Sequence, residues 1–142
     1  MNRRDWLLLT IAAGGGDGLD PVQLQKGLFL LGARGRQYVG HGFYRFVPHN
    51  YGPFSKEIYE DAEQLAAEGL ITKERRSRRP WSAFTITDAG RDRANLIAQG
   101  SDKGAQFLAS TVNWVKTLSF NDLVQTIYKL YPQYRANSVF RG

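Results

Sequence analysis

The stretch Gly14-Gly15-Gly16-Asp17-Gly18 constrains this chain most, because each glycine costs a helix interior about 1 kcal/mol relative to alanine. Any helix begun upstream stops there. Asp20-Pro21 follows, an N-cap residue with proline at the first helical position, so a second helix starts at once. Upstream, Leu7, Leu8, Ile11 and Ala12 have helical spacing over Arg4 to Ala13; downstream, Leu24, Leu28 and Leu31 mark a buried face that Phe29 and Leu30 widen, ending near Gly32. The chain therefore opens as two short packed helices.

Composition restricts the chemistry. Of 142 residues 42% are hydrophobic, enough for a packed core, and a domain of this size buries roughly 68–70% of its chain surface without staples. The absence of cysteine excludes disulfides, a thiolate nucleophile and sulfur-ligated metal sites. Nineteen Lys and Arg against thirteen Asp and Glu leave a net charge of +6, which favours a polyanionic partner. The longest apolar run, Trp6 to Ala13, is broken by Thr10 and falls well short of the about 20 residues that span a bilayer. Met1-Asn2-Arg3-Arg4 before that run imitates a short signal peptide, but Asp5 and the helical spacing favour a packed first helix and a cytoplasmic protein with no membrane contact.

Gly32 to Gly42, rich in Gly and Arg, reads as a loop with a short helical turn. Phe43-Tyr44-Arg45-Phe46-Val47 has strand composition, ended by Pro48-His49-Asn50-Tyr51-Gly52-Pro53. Ser55 is placed to cap a third helix to about Glu68, with Ile58, Ala62, Leu65 and Ala66 inward and Gly69 as its C-terminal stop. Leu70 to Lys73 and Ala83 to Thr87 are predicted as two strands, and Thr87-Asp88-Ala89-Gly90 as the start of a fourth helix to about Gln99. A fifth helix over 103–118 buries Ala105, Leu108, Val112 and Val115. Ser119 with Asp122 then resembles a capping box, Asp standing for the usual Glu or Gln, before a sixth helix with Phe120, Leu123, Val124, Ile127, Leu130 and Tyr131, which Pro132 halts.

The order of elements is that of a winged helix-turn-helix domain over 1–100, with a helical extension over 101–142 that packs on it or forms a dimer interface. The expected fold class is mainly α with a small β-hairpin wing. Glu68-Gly69-Leu70-Ile71, a basic hairpin and Phe84-Thr85-Ile86-Thr87-Asp88-Ala89-Gly90-Arg91 resemble the recognition-helix end, wing and exit of MarR- and PadR-like regulators. Leu24-Gln25-Lys26, Leu28-Phe29-Leu30-Leu31, Tyr44, Phe46, Asn50-Tyr51-Gly52-Pro53-Phe54-Ser55 and the segment Phe120 to Ser138 are similar to the YwgA-like winged-helix proteins and, more remotely, to Panacea-type antitoxin domains. The resemblance implies a winged-helix fold and a partner that is either DNA or a protein, including a toxin.

The wing carries the strongest functional signal: Lys73, Arg75, Arg76, Arg78 and Arg79 stand within seven positions, opposed only by Glu74. Such side chains at a hairpin tip can follow a phosphate backbone or enter a minor groove. Against this, the third helix holds Glu57, Glu60, Asp61, Glu63 and Glu68 and only Lys56 as a cation, where a major-groove helix would meet phosphates. The expectation is therefore a non-enzymatic DNA-binding regulator, a homodimer on double-stranded DNA, that approaches the major groove with Lys56 and Tyr59. The alternative is an interaction module whose acidic helix, through Glu60 and Asp61, holds a basic protein such as a toxin. Arg34-Gly35-Arg36 is a candidate minor-groove arm, and Trp114, Tyr128 and Phe140 are candidate partner contacts. Gly14 to Gly18 follows a helix and lacks the Lys of a phosphate loop; His41 and His49 have no acidic companion nearby; no nucleophile constellation stands out. Neither metal nor cofactor is expected.

Overall fold

In the computed structural model, which describes residues 1–75 and 81–140, the first helix, α1 (Arg3–Ala13), opens with a reciprocal cap. The Asp5 amide donates to Asn2 Oδ1 at 2.9 Å and the Asn2 amide to the Asp5 carboxylate at 3.0 Å, satisfying donors the first turn would leave unpaired. Every residue from Trp6 to Ile11 is buried, so α1 is enclosed on all sides. The hydroxyl of Thr10 within that run donates to the Trp6 carbonyl at 2.7 Å.

The second helix, α2 (Pro21–Arg34), is capped by Asp20 and Gln23 in the same reciprocal way. Ahead of it, Gly18 adopts a φ of +71, and a side chain there would also meet the Phe84 carbonyl. That close approach lets Leu19 bridge to Phe84 by two backbone hydrogen bonds of 2.8 and 3.0 Å. A single turn, α3 (Arg36–Val39), follows.

The strand expected over residues 43–47 is displaced. Residues 43–46 form no strand, and β1 (Val47–His49) pairs antiparallel with β2 (Gly52–Phe54). The two prolines that read as strand terminators lie opposite each other in this hairpin, Pro48 against Pro53. Alternation along an antiparallel ladder makes theirs the pair that exchanges no backbone hydrogen bonds, where a missing N–H costs nothing. Phe43 and Phe46 instead pack inward, Phe43 against Gly32 and Phe46 edge-on to Phe29 at 5.4 Å.

Helix α4 (Lys56–Ala67) is the predicted third helix. The wing hairpin is β3 (Ile71–Arg75) with β4 (Ser82–Ile86), in the register Ile71 to Ile86. Helix α5 (Asp88–Ala98) starts at Thr87, whose hydroxyl accepts from the Gly90 amide at 3.0 Å and donates to the Gly69 carbonyl at 2.7 Å. The Thr87 amide also donates to the Leu70 carbonyl at 3.1 Å, so the first turn of α5 lies against the end of α4.

Helices α6 (Asp102–Thr117) and α7 (Phe120–Leu130) follow, and a 3-10 turn (Pro132–Arg135) closes the C-terminal segment. Ser119 caps α7 by accepting from the Asp122 amide at 3.1 Å. The architecture is mainly helical with a small antiparallel β-hairpin wing, followed by the two helices α6 and α7. Leu108 and Val112 of α6 join the core built around α1, whereas Leu123, Val124 and Ile127 of α7 pack with Val22, Phe29 and Leu30 on the other side of α2. The extension thus packs on the first hundred residues and shares their core.

A Cβ on Gly90 would stand 1.9 Å from the Leu70 carbonyl oxygen, a backbone atom that cannot rotate away. Gly90→Ala should therefore destabilise the fold by roughly 2–4 kcal/mol through a forced backbone shift, read as a lowered urea midpoint. A midpoint within experimental error of wild type would contradict this account of the α4 to α5 corner.

Candidate nucleic-acid interface

The side chain of Gln25 holds α2 to the start of α4. Its Nε2 donates to the Ser55 carbonyl and its Oε1 accepts from the Ser55 amide, both at 2.9 Å. Ser55 does stand at the N-cap position, but its hydroxyl is buried and forms no capping hydrogen bond. Next to it, the Lys26 amine donates to the Pro53 carbonyl at 3.3 Å, and the residue is only 3% exposed. Burial of the charged form draws its pKa down to about 7, with Asp20 opposing weakly. Gln25, Lys26, His49, Tyr51, Tyr59 and Trp81 contribute to the wall of a cavity of about 170 Å³ between α2, the β1–β2 hairpin and the wing.

The acidic face of α4 is not uniformly exposed. Arg3 of α1 bridges Glu57 at 2.9 Å and Asp61 at 3.0 Å, and Arg4 bridges Glu68 at 2.6 Å. The Tyr44 hydroxyl donates to Asp61 at 2.7 Å, and the Arg3 guanidinium lies 4.9 Å from the Tyr44 ring centroid. Hydrogen bonding to Glu57 and Asp61 raises the Arg3 pKa against the cost of burial; burial, then the bond to Asp61, pushes the Tyr44 phenol well above its ordinary value. Asp61 is thus a buried anchor rather than a solvent-facing contact, because α1 supplies its counter-charge. Glu60, Glu63 and Lys56 remain exposed.

In the wing, Lys73 and Arg75 are exposed and, by strand alternation, share a face. Lys73 lies beside α4, its amine 5.6 Å from the centroid of Phe84 and its side chain lining a small cleft with Tyr59, Ala62 and Glu63. Arg76, Arg78 and Arg79 lie outside the described residues. Tyr59 is half-buried, its ring stacked at 6.1 Å on Phe84 and near Phe54, and burial raises its pKa. It therefore closes the groove between helix and wing rather than projecting from α4 as Lys56 does.

The remaining predicted contacts are placed as follows. Arg34 and Arg36 are exposed, but Gly35 between them is buried at the corner of α2 and α3, where a Cβ would come within 2.8 Å of Phe107. The segment is a helix junction and not an extended arm. Tyr128 and Phe140 are buried together against Phe120, so the C-terminal phenylalanine inserts into its own chain. Trp114 alone of the aromatic partner candidates is open, 40% exposed in an apolar groove with Leu30, Phe107 and Leu130. The Asn50 carbonyl is taken by the Val139 amide and the Ser138 hydroxyl, and Tyr51 packs edge-on to Phe120.

Arg3, Arg4, Gln25, Lys26 and Tyr44 were not among the sequence candidates. Their partners lie 17 to 64 residues away along the chain, beyond any local spacing. The one available signal was in α2, where apolar residues at 22, 24 and 28 to 31 leave no solvent face for Gln25 and Lys26. Among the described residues no three His, Asp or Glu side chains gather to hold a metal ion. No family model matches this sequence, and no curated protein matches it either.

The position of Lys26 makes stability depend on pH. The unfolded lysine keeps its proton to about pH 10.5, whereas the folded one releases it near 7, so the unfolded state binds more protons in between. Stability should rise with pH across that window by up to about 1.4 kcal/mol per pH unit from this group. Lys26→Met should remove that rise, gaining on wild type most at pH 6 and least at pH 10 in urea denaturation. A wild-type to variant difference independent of pH would contradict it.

Proposed function

We propose that this chain is a non-enzymatic winged-helix DNA-binding protein, a transcriptional regulator that grips duplex DNA with its basic wing. The observation that carries the reading is the charge arrangement. Five cations stand in positions 73–79, and the two that are described, Lys73 and Arg75, are exposed, with Lys73 beside α4. The fold also weakens the main objection: three of the five carboxylates of 55–68 are bridged by Arg3 and Arg4. Lys56, exposed at the start of α4 where the helix dipole is positive, meets a major-groove phosphate on this reading. On this reading Arg75, Arg76, Arg78 and Arg79 hold backbone or minor groove, and a two-fold dimer reads half-sites about one helical turn apart.

A second reading, an interaction module of the same fold, is favoured by Glu60 and Glu63, which stay exposed, and by the open Trp114 groove. On that reading the exposed carboxylates hold a basic protein.

Two variants separate them. Replacing Arg75, Arg76, Arg78 and Arg79 together by alanine should weaken binding to duplexes of any sequence and flatten the salt dependence by about one unit for each phosphate no longer neutralised. An unchanged slope rules out the wing as the grip. Because Asp61 is buried, charge reversal belongs at Glu60 and Glu63: Glu60→Lys with Glu63→Lys should strengthen DNA binding, whereas the interaction module would lose its basic partner and gain nothing on DNA.

A further inference from the structure

A further cavity lies away from the wing and away from the Trp114 groove. It measures about 480 Å³, inside the roughly 300–1,000 Å³ range of small-molecule sites. The loop 40–46 builds it by folding back over α2. Gly40, with φ +64 and ψ −149, and Gly42, with φ +79, make that path available, the first in a conformation essentially confined to glycine.

Two kinds of side chain line the cavity. Phe29, Phe43, Phe46, Tyr131 and Tyr134 give it aromatic walls, held in place by edge contacts of Phe29 to Phe46, Tyr131 and Tyr134 at 4.9–5.4 Å. Arg36, Arg45 and His41 supply positive charge or donors, and among the described residues no carboxylate lines the cavity. Neither arginine forms an ion pair among the described residues, although Arg3 and Arg4 of the same fold do. Gln133 adds a neutral side chain with both a donor and an acceptor.

Two unpaired guanidinium groups beside a ring-lined cleft suit a planar aromatic ligand with a multiply charged head. A phosphate monoester fits them best, because it carries about two negative charges and accepts paired bonds from arginine. We propose that this cavity binds a nucleoside monophosphate, with the base against the aromatic walls and Gln133, and the phosphate on Arg36 and Arg45. The site stands on its own geometry and needs no assumption about DNA.

Titration calorimetry of the full chain with AMP, GMP, CMP and UMP, and with adenosine and inorganic phosphate as fragments, tests it. At least one mononucleotide should bind saturably, and both the nucleoside and inorganic phosphate should bind at least about tenfold more weakly. The Arg36→Ala/Arg45→Ala variant should lose about tenfold or more in affinity. Both arginines are exposed, and the single variant Arg45→Glu gives a second reading if the pair does not fold. The proposal is overturned if no mononucleotide binds tighter than about 1 mM, if inorganic phosphate binds equally well, or if binding survives loss of the arginines.

Discussion

The structure depends on enclosing one helix. With Trp6 to Ile11 buried without a break, α1 has no face for water, and it needs neighbours on every side. Those neighbours are α2, α4, α5, α6 and strand β4. Helix α6 covers part of it through Leu108 and Val112. This gives the C-terminal extension a structural reason. Its second helix, α7, then builds a separate apolar cluster with Phe29 and Phe140 on the far side of α2.

The ends of α1 are as consequential as its middle. Arg3 and Arg4 emerge from the buried stretch beside α4, and bind Glu57, Asp61 and Glu68. Asp61 is deeply buried and takes both Arg3 and the Tyr44 hydroxyl, so its charge is matched and its oxygens are used. The partly exposed pairs to Glu57 and Glu68 add little stability on their own. Their consequence is electrostatic, since Arg3 and Arg4 offset two of the negative charges that α4 would present to a polyanion. Gln25 holds the start of α4 through both backbone groups of Ser55 and so ties it to α2.

Much of this fold is legible in the sequence. Asp20, Thr87 and Ser119 act as caps where the sequence places them, whereas Ser55 does not, and the apolar spacing of α1, α2, α4, α6 and α7 marks helices whose inward residues are mostly buried, apart from departures such as Ala66, Ala105 and Leu130. Gly90 of the exit motif has a steric cause, the Leu70 carbonyl. What escapes is set by distance and by context. Pro48 and Pro53 read as breakers because each removes a donor, and only their pairing across a short hairpin makes them harmless. Arg34-Gly35-Arg36 reads as an arm because nothing local shows that Phe107, more than seventy residues later, packs on Gly35. Of the site, the basic run is evident in one dimension, whereas the pairing of Asp61 with Arg3 needs the fold.

The functional account joins these parts. Helix α4, held by Arg3, Arg4 and Gln25, stands beside a wing whose charge is almost wholly positive, and the groove between them is closed by Tyr59 and Phe84. The most direct measurement is fluorescence anisotropy of a labelled random duplex titrated with wild-type protein at about 50 and 200 mM salt. The account predicts binding at the lower salt that weakens roughly a hundredfold or more at the higher, as several released counterions require. No binding at 50 mM salt, or binding indifferent to salt, would contradict it.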